Sequence, residues 1–244
     1  MTHTHFVLVP GFWLGSWAWA AVAANLTERG HKVTALTLPG LESLETNKGD
    51  VTLEDHVTAV VNALKSNDTN SDDTHAESVV LVAHSGAGPV AYMASDRVHD
   101  RLDRVVYVDS GPMPSGARIR EDVEGADSIP LPSWTELEND DNSLEGLDDA
   151  ALETFRTRAV PQPAGPARDE VRVSDDRRLG VPVTVVCNSF PAEVIVQMAA
   201  AGHPMAVELE SIESVEYVDL PTGHWPMWSR PDDLAEILHA VTLE

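Results

Sequence analysis

The stretch VVLVAHSGAG, residues 79–88, decides the fold. Val79–Ala83 is a continuous apolar run, mostly β-branched, which is the pattern of a strand covered on both faces. His84-Ser85-Gly86-Ala87-Gly88 follows, and a helical pattern opens at Gly88. Small residues two before and two after the serine, Ala83 and Ala87, suit a sharp strand-to-helix turn, because large side chains there would hold strand and helix apart. Such a turn projects the serine hydroxyl from the carboxyl edge of a sheet. A serine merely capping a helix is the plainer reading. The buried strand directly in front favours the turn.

Working outward, further apolar runs repeat the pattern. His5–Pro10, Lys32–Leu38, Arg104–Val108, Val183–Cys187 and Val215–Leu220 read as strands, with helical stretches at Trp17–Arg29, Thr52–Ser66, Gly88–Asp96 and Pro231–Leu243. Thr52 and Asp55 form a variant capping pair, and Pro231 followed by Asp232 and Asp233 is a helix start. Strands alternating with helices predict a three-layer α/β fold: a mostly parallel sheet of about six strands with helices on both faces. Ser66–Ser78 is polar and acidic and reads as a solvated loop. Pro112–Arg178 is rich in Pro and acids, with helical fragments near Trp134–Leu137 and Leu147–Arg158. So long an interruption predicts an inserted cap over residues 112–178, the core being 1–111 and 179–244.

The 244 residues fit one domain with an insertion, and 43% are hydrophobic, enough for a sizeable core. No run approaches the length of a membrane span, and no leader pattern opens the sequence, so a cytoplasmic protein is expected. The net charge is −24, from 40 acidic against 16 basic side chains. That surface repels nucleic-acid phosphates and anionic membranes. Only Lys32, Lys48 and Lys65 are lysines, and acid-rich, lysine-poor surfaces resemble those of salt-adapted proteins, though a GC-rich genome also favours Arg over Lys. The single cysteine, Cys187, excludes an internal disulfide and a cysteine-based zinc site. Its apolar strand suggests an inert buried thiol.

A nucleophilic serine needs a base. His224, in Pro221-Thr222-Gly223-His224-Trp225-Pro226, follows the last strand and so reaches the same sheet edge as Ser85. His3 and His5 lie near the N-terminus, and His203 follows Gly202 in a loop. His31, His56, His75, His99 and His239 read as solvent-facing, and His84 points away from the serine. An oxyanion would need donors. Gly86, after the serine, supplies one N–H, and Phe12, in PGFWLGSW after the first strand, supplies the other.

FVLVPGFWLGSWAW (6–19), LTLPG (36–40), VTLEDHV (51–57), VLVAHSGAG (80–88), VVYVDSGPMP (105–114) and GHWPMW (223–228) together resemble the α/β-hydrolase superfamily. The nearest likeness is to small cytosolic esterases and hydroxynitrile lyases of the plant methylesterase group and their bacterial relatives. The resemblance implies a catalytic acid after the penultimate strand, but Cys187–Glu193 holds no aspartate. Asp109 ends the preceding strand and is assigned as the acid. Glu193 is the alternative, and a dyad or a less obvious acid stays open. The similar lyases carry a lysine after the histidine and a threonine in the first loop, where this chain has Trp225 and Gly11.

These residues predict a serine esterase that forms an acyl-enzyme and needs neither cofactor nor metal. The expected substrate is a small apolar or aromatic ester or lactone, held by Trp13, Met113, Trp134, Trp225 and Trp228. A lactonase or a natural-product or toxin hydrolase is the alternative. A lyase-like enzyme and a non-catalytic small-molecule binder rank behind it. The oligomeric state, a homodimer included, is left open.

Overall fold

The central β-branched runs, Phe6–Val9, Val79–Ala83, Val105–Val108 and Val183–Cys187, are largely apolar and buried on both sides, so they pair into one sheet covered on both faces. A computed structural model of the chain describes residues 3–66 and 78–243. In order come β1 (Thr4–Val9), α1 (Ala20–Glu28), β2 (Lys32–Ala35), α2 (Leu53–Lys65), β3 (Ser78–His84), α3 (Gly88–Val98) and β4 (Arg104–Val108). Next are β5 (Ser128–Ile129), α4 (Trp134–Asn139), α5 (Asp149–Arg158), β6 (Gln162–Pro163) and α6 (Gly165–Arg168). Then follow β7 (Val183–Cys187), α7 (Ala192–Ala200), β8 (Val215–Asp219), α8 (Pro226–Ser229) and α9 (Pro231–Ala240). The main sheet has six strands in the order β2-β1-β3-β4-β7-β8, and its pairings are parallel.

Alternation along each strand divides the core. Phe6, Leu8, Val80, Val82, Val106 and Val108 face one side, where Leu26 of α1 and Leu234 and Leu238 of α9 cover them. Val7, Val9, Leu81, Val105 and Val185 face the other, against Val57 and Val60 of α2 and Val90 of α3. The expected capping pair exists: the Asp55 N–H donates to Thr52 Oγ1, and the Thr52 N–H donates to the Asp55 carboxylate. The expected fold class is therefore met.

Details differ from the sequence reading. β2 stops at Ala35 and not at Leu38, since the chain leaves the sheet edge toward Pro39. The stretch before α1 begins as a 3-10 turn at Ser16–Trp19. α7 is additional to the predicted helices. Residues 67–77 of the predicted polar loop, His75 among them, lie outside the described residues. In the 112–178 segment, Leu137 and Phe155 are fully buried in the same cluster as the sheet residues, so this segment shares the core. Among the described residues, no helix is long and apolar enough to cross a membrane.

Three histidines expected at the surface or a loose terminus are buried, because each has a polar partner that local pattern cannot reveal. His5 Nε2 pairs with Thr34 Oγ1, and His31 Nε2 with His239 Nδ1. The His56 Nε2–H donates to the Pro39 carbonyl. Burial lowers the His56 pKa from 6.5 to about 4. The unfolded chain therefore takes up this proton near pH 6.5, while the folded protein resists until about pH 4. Stability is unaffected above pH 6.5 and falls as pH drops through that window, by up to ~3 kcal/mol from this group. Urea denaturation at pH 7.5 and pH 4.5 should show that loss, and His56→Gln should narrow the gap between the two.

Candidate active site

The register of β3 and β4 aligns His84 with Val108, so Ser85 and Asp109 leave neighbouring strands at the same sheet edge. Both adopt positive φ, +53° at Ser85 and +45° at Asp109. Side chains crowd the backbone there, and the fold must hold such residues in place. Part of the restraint is visible: the Ser110 Oγ–H donates to the Ser85 carbonyl at 2.5 Å. Gly88 supplies the rest, since a Cβ there would lie 2.4 Å from the Gly111 carbonyl oxygen. Only glycine lets α3 start this close to the end of β4.

His224 arrives on the loop after β8. Its N–H donates to the Ser143 carbonyl at 2.8 Å, and that of Gly223 to the Glu145 carbonyl at 3.1 Å. The stretch around Ser143 and Glu145 thus holds the loop. His224 Nε2 lies 2.7 Å from Ser85 Oγ, and His224 Nδ1 lies 2.5 Å from Asp109 Oδ2. Burial by itself would raise the Asp109 carboxyl, but its bonds to His224 and Ser189 outweigh this and hold it below its ordinary value. An ionised Asp109 can only accept, so Nδ1 carries the proton and Nε2 is left to accept from Ser85. Glu193 is exposed on α7 and accepts from Gln197 Nε2, away from His224.

His84 points away from the serine hydroxyl, with its Nε2–H donating to the His224 carbonyl at 2.7 Å. Burial first, then the charge His224 can carry, lower its pKa and keep it neutral. Phe12 sits over the turn: a Cβ on Gly86 would meet the Phe12 ring at 2.5 Å. The Gly86 N–H lies in the first turn of a 3-10 segment, where helical N–H groups have no internal acceptor. The Phe12 loop is tied down through Trp13, whose carbonyl accepts from Val160 and whose Nε1–H donates to Ile129.

Ser85, His224 and Asp109 border a cavity of about 300 Å³. Of the five residues expected as pocket walls, Met113 lines it and the four tryptophans do not. Trp225 is 2% exposed and packs behind His224 against Phe155. Trp228 stacks between Trp17 and Trp225, and Trp134 packs on Phe155 beneath the Arg156 guanidinium. Trp13 is spent on Ile129 and the Phe12 ring. Large apolar surfaces favour burial in the core. The walls are instead Ile195 and Met198 of α7 with Ile119, Phe190, Met205 and Leu209. The i, i+3 spacing of Ile195 and Met198 was the one sequence signal for them.

Cys187 also lines the cavity, and burial pushes its thiol up to about 12, so it stays protonated. Among the described residues, no group of three His, Cys, Asp or Glu side chains could hold a metal ion.

A sequence model described as the alpha/beta hydrolase family matches residues 6–237. The chain belongs to the alpha/beta hydrolase family. Within it, the chain is similar to the carbendazim hydrolyzing esterase of Nocardioides sp. (strain SG-4G), at 35% identity over 107 residues. That alignment covers 43% of this chain and 41% of the esterase. It is also similar to Methylesterase 7 of Arabidopsis thaliana, at 36% identity over 104 residues, covering 42% of this chain and 38% of that one. The chain thus spans about two fifths of the length of the curated relatives it matches. An extracellular alpha/beta hydrolase from a Paenibacillus species has the same fold, with a TM-score of 0.75 at 21% identity over 97% of this chain and 98% of that one. The methylesterase MES16 from Arabidopsis superposes with a TM-score of 0.72 at 20% identity over 99% of this chain and all of its own.

Proposed function

We propose that this alpha/beta hydrolase is a serine esterase that cleaves a carboxylic ester of a small, uncharged, apolar substrate. The observation that carries the reading is the hydrogen-bond chain from Ser85 Oγ through His224 to the Asp109 carboxylate. Its named relatives, an esterase and a methylesterase, support the same chemistry.

In this reading Ser85 Oγ attacks the ester carbonyl and His224 Nε2 takes its proton. The new imidazolium is stabilised by Asp109, and the tetrahedral oxyanion accepts from the N–H groups of Phe12 and Gly86. His224 then protonates the leaving alcohol, which departs and leaves the acyl group on Ser85. A water molecule, deprotonated by His224, attacks the acyl carbonyl, the bond from Ser85 Oγ to the acyl carbon breaks, and His224 returns the proton to Ser85 Oγ as the acid leaves. Neither metal nor organic cofactor enters these steps.

Residues 112–178 serve as a cap, since Met113 and Ile119 wall the cavity and Ser143 and Glu145 hold the His224 loop. A volume of about 300 Å³ is at the small end for ligand pockets. Flexible methionines adapt to aliphatic as readily as to flat groups. Asp140 and Asp141 on the cavity wall disfavour an anionic acyl group. Lyase chemistry loses support on steric grounds too. A Cβ at Gly11 would lie 2.8 Å from Ser85 Cβ, so the lyases' threonine has no room.

A panel of neutral p-nitrophenyl esters, a dicarboxylic half-ester and several lactones tests this reading. Turnover of the neutral esters is expected to exceed that of the half-ester by at least about tenfold, a difference that salt reduces. Brisk lactone opening without any ester turnover would replace the esterase assignment.

A further inference from the structure

Oδ2 of Asp109 serves two donors at once. The His224 Nδ1–H lies 2.5 Å away on one side and the Ser189 Oγ–H lies 2.6 Å away on the other. We infer that Ser189 is a positioning residue that tunes the basicity of His224 through the Asp109 carboxylate. The inference rests on the esterase reading above and adds to it a residue outside the triad.

The two oxygens of the carboxylate hold different donors. Oδ1 is fixed by main-chain groups, accepting the N–H of Ser189 at 2.9 Å and of Asn188 at 3.3 Å. Asn188 is itself anchored, donating from Nδ2 to the Leu220 carbonyl at 2.8 Å. The carboxylate therefore keeps an anchor when the Ser189 hydroxyl is removed, while Oδ2 loses one of its two donors. A donor to a carboxylate draws off negative charge. Without it, more charge faces the imidazole, the imidazolium becomes more stable, and His224 binds its proton more tightly.

Other groups near His224 do not compete for this role. His84, from the end of β3, is held neutral, and the Cys187 thiol, from β7, stays protonated. Ser85 faces the opposite ring nitrogen. Asp140 and Asp141, across the cavity, are exposed and are the same in wild type and both Ser189 variants, so they do not move the limb between them. The charge that bears on Nδ1 is that of Asp109.

The test is the pH profile of kcat/KM for a neutral p-nitrophenyl ester in wild type, Ser189→Ala and Ser189→Thr. In Ser189→Ala the acid limb is expected to move up by about half a pH unit, with kcat on the plateau and KM each within about twofold of wild type. Ser189→Thr keeps the hydroxyl and should return the limb to the wild-type position. Loss of rate in Ser189→Ala with an unmoved limb would show a merely structural role and overturn the inference. An equal shift in both variants would overturn it as well. Fluorophosphonate labelling separates the two levels. A wild type that never labels at Ser85 contradicts the esterase reading itself, whereas a labelled wild type with an unmoved Ser189→Ala limb contradicts only the role of Ser189.

Discussion

Asp109→Asn is expected to lower kcat for a neutral ester about 10⁴-fold, whereas Glu193→Gln leaves it within about twofold. The asymmetry follows from hydrogen-bond polarity. An ionised Asp109 can only accept, which keeps the proton on His224 Nδ1 and frees Nε2 for Ser85. An asparagine can turn its NH₂ toward Nδ1. The imidazole then carries its proton on Nε2 and can no longer take one from the serine. Glu193 has no part in this, because it is exposed on α7 and paired with Gln197. Steady-state kinetics of both variants, with circular dichroism to establish that each is folded, provide the comparison. Near-full turnover in Asp109→Asn would move the acid elsewhere.

Gly11→Ala is the second large effect, with an expected loss in kcat of about 10²- to 10³-fold. An added Cβ would lie 2.8 Å from Ser85 Cβ, 2.9 Å from His84 Nδ1 and 3.1 Å from the His84 carbonyl oxygen. None of these atoms is the far end of a flexible side chain. The serine turn cannot retreat either, since Ser110 holds its carbonyl and His84 is tied to the His224 loop. The loop bearing the Phe12 N–H must yield instead, which withdraws an oxyanion donor from the position it needs. The overpacking should also cost about 1–3 kcal/mol of stability. Paired measurements of kcat and of the rate of Ser85 phosphonylation check this. Unchanged kinetics would mean that the loop does not supply the donor.

The framework was legible because it depends on local pattern. Val79–Ala83 and Arg104–Val108 read as buried strands from their mostly β-branched, apolar character, and both run in the sheet. Ser85 and His224 could be nominated because the ends of parallel strands share an edge, a matter of topology and not of packing. Other features depended on partners distant in sequence. His31 looks like a turn residue until His239 meets it, and nothing near Asp109 in the chain announces Ser189. The tryptophans misled for a related reason. An aromatic beside the histidine can wall a pocket or fill the core, and Trp225 packs inward on Phe155 of α5, 70 residues away in the chain. The cavity wall came instead from α7, where the β-branched run Val194-Ile195-Val196 obscures the helical pattern and Ala199 alone is buried.

Whether Ser85 is the nucleophile of an acyl-transfer reaction is read out by intact-protein and peptide mass spectrometry after exposure to a fluorophosphonate. One adduct per chain is expected, on the peptide containing Ser85, with ester turnover lost in step and no adduct in Ser85→Ala. A folded protein that hydrolyses esters yet carries no adduct at Ser85, or carries it on another residue, would show that Ser85 is not the nucleophile.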